Sequence, residues 1–500
     1  MTTTNTTKEV DQVVATPTYL ADIRFFFRPQ DVEHMAEWGI ELGTYDGAKE
    51  NALSIYALTA PPSATMPPDE EGKWSAERSQ TFRNWILTGF PLGTATPIEP
   101  LPNGALPTRL RKDVTTLSDA EFDRLKAAFA GLMERDPADP KSYFALAGQH
   151  GLPKRWCLHH QDRYNPWHRQ YLLDFEDALR SVPGCEDVTI PYWDFATDLP
   201  DRLQHPPLDQ YVLPIDPGAA ATPPPVTSFF PYTTSRFPVD DIAQNMKTYE
   251  VLADTATSLA QLLWGAFNVN GYQDFSIQAH DSGHGSIGPT MGNQNVAAFD
   301  PVFWFYHCNL DRLWLSWQTR VGGTTLAGFR TTLGQNTEWL TPPFNKMVGT
   351  SVTTDQTIES KVSYDRLDLP SPVEGAMENL SGSIDAARTF AFRSDSPVSV
   401  RVKGIDRLNI PGSFIVSLLA DGEPVAKRYF FQPDDPRSCE TCVQYGIVNL
   451  DFRLTQERLL DRALTVRIDV PGRSEEIGTS FPLSRAGNPT INARLLVGEA

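Results

Sequence analysis

The chain has 500 residues, 40% hydrophobic and 21% charged, which is the composition of globular protein rather than of disordered chain. A formal net charge of −19 argues against nucleic acid and anionic membrane as partners, because both need a basic footprint. The opening MTTTNTTKEVDQVV lacks a basic run followed by an apolar one, no stretch is long and apolar enough to span a bilayer, and five cysteines are too sparse for a disulfide framework, so the expectation is a cytoplasmic protein.

Residues 1–104 read as an N-terminal helical extension. Within it SAERSQTFRNWILTGFP predicts a helix begun by Ser75 and stopped near Gly89 and Pro91. The stretch MPPDEEGKWSAERSQTFRNWILTGFP resembles the tail of small c-type cytochrome domains. The haem-attachment sequence CxxCH is missing and the first cysteine is Cys157, so no haem is expected.

Residues 105–370 form a second region, rich in Trp, His and helical runs. SDAEFDRLKAAFAGLMER predicts a helix with a capping box of Ser118 and Glu121. The proline-rich stretch from about 205 to 240 reads as irregular surface chain. A linker follows at 371–382. From 383 to 500 the period changes to two, in RTFAFR, PVSVRVKGI, SFIVSLLADGEPVAKRYFF, YGIVNLDFRL and LTVRIDV, which predicts an antiparallel β-sandwich-like domain.

Of nine histidines (His34, His150, His159, His160, His168, His205, His280, His284, His307), seven fall in two tight windows. In the first, Asn165 and Pro166 punctuate the chain, and a helix from about Trp167 to Arg180 puts His168, Leu172, Phe175 and Leu179 on one face. His150 and His159 lie upstream, on loop or helix-end sequence that can converge on His168. His160 adjoins His159 and is expected to point elsewhere. In the second window His280 and His284 are four apart on one helical face, and Pro301 opens a further helix carrying His307. Asp311, four residues on, faces the same side and is placed to accept from a ligand histidine's free N–H.

Six neutral imidazoles without a carboxylate suit copper, zinc, iron or nickel. A two-metal hydrolase is one reading of such a pair of trios, but hydrolytic pairs normally recruit bridging carboxylates, and an all-histidine set favours copper.

These windows resemble the type-3 copper proteins, the family of tyrosinases, catechol oxidases and haemocyanins. The first signature is met by His159, Tyr164 (where the family usually has Phe), Trp167, His168, Arg169 and Glu176; the second, DPxFxxxHxxxD, stands as DPVFWFYHCNLDR at 300–312. The resemblance implies a mainly α copper domain built on a four-helix bundle, α+β overall with the β-rich C-terminal part as a lid. It implies two copper ions, one on His150, His159 and His168 and one on His280, His284 and His307. O2 and small phenolic substrates are the implied partners, with oxidation to o-quinones as the reaction; an O2 carrier and an oxidase restricted to catechols or o-aminophenols are the alternatives. A homo-oligomer is compatible with all of these.

Further roles follow from the same resemblance. Cys157, two residues before His159, is expected to form a thioether with that ring. Where tyrosinases hold a water with an Asn next to the first histidine of the second trio, this chain has Asp281, expected to accept the phenol proton or orient the water. Val296 sits where bulky residues narrow the substrate entrance, and Tyr306 replaces a common histidine. Among Tyr429, Phe430 and Phe431 the expected plug of the lid is Phe430. Cys439 and Cys442 form a CETC pair, read as a copper-delivery site ahead of a redox pair.

Overall fold

The computed structural model describes residues 12–93, 109–368, 397–471 and 480–495, apart from 20, 21, 29, 30, 33, 36–39, 41, 63, 70, 71, 226, 227, 266–270, 334–336, 345–351, 460 and 461. The linker 371–382 and the RTFAFR segment lie outside the described residues.

The N-terminal region contains α1 (Tyr45–Glu50), α2 (Ala52–Thr59) and α3 (Ala76–Leu87). Ser75 caps α3 by accepting from the Arg78 N–H, and Gly89 follows its end with a left-handed φ of 84°. Tyr19, Phe27, Trp74, Phe82 and Trp85 bury their rings together, and Leu262 of the next region closes the same cluster.

The central region contains α4 (Asp119–Met133), α5 (Tyr143–Ala147), α6 (Tyr164–Arg180), α7 (Val239–Thr248), α8 (Val251–Ala260), α9 (Tyr272–Ile287), α10 (Val302–Val321) and α11 (Leu326–Arg330). The capping box of Ser118 and Glu121 starts α4. Helices α4, α6, α9 and α10 make the expected four-helix bundle. Phe175 of α6 stacks on Trp304 of α10 at 3.5 Å, and Phe129 of α4 wedges against Phe175 at 5.4 Å and Phe305 at 5.5 Å. The proline-rich stretch before α7 holds a single bridge, Val212 to Thr233, among its described residues. A buried charge cluster ties the bundle to flanking chain. Arg111, on a two-residue strand β1 (Leu110–Arg111) paired with β2 (Ser363–Tyr364), bonds Glu176 and Asp311, and Arg169 bonds Asp311 from the other side. Among the described residues no helix is long and apolar enough to cross a membrane.

Among the described residues the C-terminal domain is the expected antiparallel sandwich, with two three-stranded sheets. One has the order β6 (Ile447–Thr455), β3 (Pro397–Asp406), β8 (Thr490–Leu495); the other β5 (Glu423–Phe430), β4 (Phe414–Ala420), β7 (Leu464–Asp469). Alternation sends Val398, Val400 and Val402 of one sheet and Phe414, Val416 and Leu418 of the other into a shared core. Asp421 and Gly422 turn β4 into β5 with φ of 52° and 85°, the pair of positive values that a tight hairpin needs. A last short helix, α12 (Glu440–Gln444), follows β5.

The sandwich docks on the bundle through β5. Arg428, 1% exposed, reaches Glu250 at 2.7 Å and Asp254 at 2.8 Å beside α8. Tyr429 lies flat on α9 at Gly285, where any Cβ would overlap its ring, and its hydroxyl donates to the Gly292 carbonyl at 2.9 Å. Removing one member of a buried ion pair leaves the other charge stranded. Arg428→Ala is therefore expected to destabilise the docked chain by about 3 kcal/mol, read as a lower urea midpoint and faster protease release of the C-terminal domain; an unchanged midpoint and digestion pattern would contradict the role assigned to this clamp.

Candidate metal centre

Each of the six histidines is delivered by a short, well-fixed piece of chain. His150 follows the end of α5, and His159 lies in the turn before α6. Helix α6 starts at Tyr164, earlier than the sequence reading placed it, and His168 sits one turn in, donating from Nδ1 to the Tyr164 carbonyl at 2.9 Å. His280 and His284 share a face of α9, and His307 lies on α10.

The rings converge. In the first trio the ring centres are 4.8 Å (His150–His159), 5.6 Å (His150–His168) and 5.0 Å (His159–His168) apart. In the second they are 4.5 Å (His280–His284), 5.2 Å (His280–His307) and 5.2 Å (His284–His307). The trios face each other: His168 stacks on His307 at 4.6 Å and His159 on His280 at 5.2 Å. Two sets of three ligand atoms, from His280, His284 and His307 and from His150, His168 and His307, each fit within 4.8 Å, so His307 lies between the groups. Cys157 forms a third such set with His150 and His159.

The chemistry of these donors fits metal ions. Burial, reinforced by the neighbouring imidazoles, pulls the protonation of His150, His159 and His307 well below the ordinary histidine range, and burial does the same for His168 and His284. His280 is lowered too, by burial against the opposing pull of Asp281. Neutral imidazole is the form that binds metal. Three tautomers are set by acceptors behind the ring: the Tyr164 carbonyl for His168, the Met291 carbonyl for His284 at 2.8 Å, and Asp281 for His280 at 2.8 Å. Nε2 of His168 and of His280 is buried with no hydrogen-bond partner. Nε2 atoms of His150 and His159 approach to 3.2 Å, and those of His284 and His307 to 3.0 Å. Lone pairs gathered this way in an apolar core are expensive unless a cation takes them.

Several sequence-based expectations are corrected. Asp311 does not support His307: Arg169 at 2.6 Å, Arg111 at 3.3 Å and the Tyr364 hydroxyl at 2.6 Å fill its oxygens, because charged donors outcompete an imidazole N–H for a buried carboxylate. Asp281 is not poised as a base. It lies behind His280, bonded to His280 Nδ1 and His160 Nε2, each at 2.8 Å, and to the Phe431 N–H at 3.1 Å. Burial opposes its charge, but His160 and His280 hold its carboxyl below the usual range. Val296 is 1% exposed, and the chain beside it is covered by Asp434, which accepts from Asn295 Nδ2 at 3.1 Å. The plug is Phe431, not Phe430. Strand alternation sends Phe430 into the sandwich core against Phe414 at 4.8 Å, and the next residue turns to the centre, where Phe431 stacks on His284 at 4.1 Å and lies 5.4 Å from His159. Cys439 and Cys442 are joined as a disulfide, which offers no thiolate to copper.

Other residues sit as follows. Cys157 is buried and free, burial pushes its thiol up to about 12, and Gln294 Nε2 donates to its sulfur at 3.0 Å. Tyr306 donates to the His280 carbonyl at 3.0 Å over Gly283, where a Cβ would overlap the hydroxyl. His34 and His205 are exposed and apart from the cluster. His160 is the residue that sequence reasoning passed over. Its φ of 54° turns it away from His159, as expected, but onto Asp281 and into the lid. A histidine doublet ahead of a helix was the only sequence signal.

The sequence matches the family model for the common central domain of tyrosinase over residues 140–224 and 207–320. Polyphenol oxidase 4 of Agaricus bisporus is 28% identical over 302 residues, 44% of this chain; the chain spans about half of that relative, 48% of its length. Hemocyanin G-type, units Oda to Odg, of Enteroctopus dofleini is 28% identical over 232 residues, 42% of this chain and 8% of that much longer one. Among solved structures, a tyrosinase from Burkholderia thailandensis at high pH superposes with a TM-score of 0.54 and 19% identity over 77% of this chain and 100% of its own, a likeness of fold.

The depressed histidines make stability depend on pH. An unfolded chain takes up these protons as pH falls through about 6.5, and the folded chain refuses them. Stability of the metal-free protein is thus full above that value and is lost as pH falls below it. The unfolding free energy from urea titrations at pH 7.5 to 4.5 is expected to fall by about 1.4 kcal/mol per pH unit for each extra proton bound on unfolding. Ring 15N shifts of protonated imidazole at these histidines in the folded protein at about pH 6 would show that the rings are not held neutral.

Proposed function

We propose that this chain, which carries the common central domain of tyrosinase, is a copper-dependent oxidase that uses O2 to convert catechols, and more weakly phenols, to o-quinones, held closed by its own C-terminal domain. The observation that carries the reading is the single buried centre into which six neutral histidines aim their Nε2 atoms. His150, His159 and His168 would hold one ion and His280, His284 and His307 the other. Two copper ions bound there supply the redox chemistry that couples O2 to oxidation of an aromatic ring.

The chain's own residues do the rest. The acceptors behind His168, His280 and His284 hold each Nδ1 proton and so keep each Nε2 free for a metal. Phe303, 4.0 Å from His307, and Phe431 wall the centre with apolar rings and exclude water. Asp281 already accepts three hydrogen bonds, so no free carboxylate faces the place of a substrate hydroxyl. That favours catechols and o-aminophenols over monophenols. The thioether expected between Cys157 and His159 belongs to the same reading. It is supported by the sulfur's place beside His150 and His159, and a peptide over residues 156–163 should weigh two hydrogens less after copper loading.

Phe431 against His284 also favours a second reading, an O2-binding protein without catalysis, in keeping with the haemocyanin likeness. The two separate when copper-loaded full chain and Phe431→Ala are given tyrosine, catechol and 2-aminophenol while O2 uptake is followed. The oxidase reading expects catechol consumption to rise at least about tenfold in Phe431→Ala, about 1.4 kcal/mol in barrier, with tyrosine well behind. Reversible O2 binding with no substrate consumed by either protein would replace it by the carrier.

A further inference from the structure

We infer that Arg407 of the C-terminal domain is a positioning residue for the metal ligand His280, acting through His160 and Asp281, so that this domain completes the second trio as well as covering it. The inference rests on the reading of the six histidines as a metal centre.

Arg407 opens a short turn after β3 and is fully buried. Its guanidinium donates from Nε to Gln432 Oε1 at 3.0 Å, from Nη1 to His160 Nδ1 at 3.1 Å and from Nη2 to Cys442 Sγ at 3.3 Å, and lies over the Phe430 ring at 4.8 Å. Among the described residues no carboxylate forms an ion pair with it. A buried cation without an adjacent anion is a costly thing to keep, and an apolar side chain of the same volume would pack there more cheaply. The anion it does serve is Asp281, on the far side of the His160 ring.

The polarity of this chain of groups is fixed at one end. A guanidinium has donors only. His160 Nδ1 must therefore accept, which leaves the proton on Nε2, and Nε2 donates to Asp281 Oδ2 at 2.8 Å. Oδ1 of the same carboxylate accepts from His280 Nδ1 at 2.8 Å, which leaves His280 Nε2 as a bare lone pair facing the centre. Every proton position from the lid to the ligand follows from one arginine.

Two further observations show that the ring of His160 is held for this purpose. Its backbone sits in the left-handed region at φ 54°, a conformation that non-glycine residues rarely adopt, and this turn sends two successive imidazoles in opposite directions, one to the metal centre and one to Asp281. Phe430 stacks on the ring at 4.4 Å and 11°, fixing its plane. The residue that fails as a plug thus has a place in the chain.

The test compares Arg407→Met, which fills the space without a donor, with Arg407→Lys, which donates and cannot accept. Copper-loaded full-length proteins are challenged with a chelator, and the two ions are followed separately by the kinetics of loss. Metal-free proteins labelled with 15N in histidine report the tautomer of His160, and limited proteolysis reports docking. In Arg407→Met one of the two ions is expected to leave roughly 10–100-fold faster, with His160 moving to a mixture of tautomers while the domain stays docked. Arg407→Lys should recover most of both. The inference is overturned if Arg407→Met, docked, keeps the wild-type tautomer and wild-type rates, or if Arg407→Lys is no better than Arg407→Met. A wild-type chain that takes up no copper sinks the metal reading itself, which is a different result from unaltered release in the variant.

Discussion

Keeping six imidazoles uncharged with their lone pairs turned inward is the constraint from which the rest of this molecule follows. Water would protonate or solvate them, so the centre must be dry. A dry centre leaves ring N–H groups in need of acceptors, and for His168, His284 and His280 these are two backbone carbonyls and one carboxylate at fixed positions. The aromatic packing of α6 on α10, the short start of α6 at Tyr164 and the Met291 carbonyl beyond α9 all serve that requirement. The arginines behind the bundle have a related task. Arg169 and Arg111 both bond Asp311, so this buried carboxylate is paired within the cluster behind the bundle.

The C-terminal domain is bound into this scheme at three levels. Arg428 clamps it to α8, Tyr429 rests on the glycine face of α9, and Phe431 enters the centre. Of four successive positions at the end of β5, Arg428, Tyr429 and Phe431 reach the bundle while Phe430 turns into the sandwich core. A strand pointing one way into its own sandwich and the other way into a neighbouring bundle is a compact means of joining a fold to a site. Closure and ligand geometry then share the same few residues.

Much of this was legible in the chain. Clustering of the histidines, the four-residue spacing of His280 and His284, the capping box at Ser118 and the change of period after 383 each have a local physical cause, and local causes are written in local sequence. What was illegible depends on partners far apart in the chain. Asp311 could be placed on the face of His307, but not seen to be claimed by Arg169 and Arg111. Asp281 looked like a free base because the doublet partner His160, 121 residues earlier, gave no sign of reaching it. Phe430 and Phe431 differ by one position, and only the point at which the strand ends decides which of them leaves the sandwich. The CETC pair reads as two thiols for copper ahead of a redox pair, and only the geometry joins them as a disulfide.

The hydrogen bonds behind His280 have an implication for the order of assembly. Arg407 and the Phe431 amide are made well after α9 during synthesis, more than 120 residues downstream of His280. A ribosome that has released only the helical bundle has made both trios, with Tyr164, Asp281 and Met291 behind their rings, but not the groups that hold Asp281 and His160 from the other side. The hydrogen bonds that Arg407 and the Phe431 N–H give to His160 and Asp281 can thus form only once the C-terminal domain has been made.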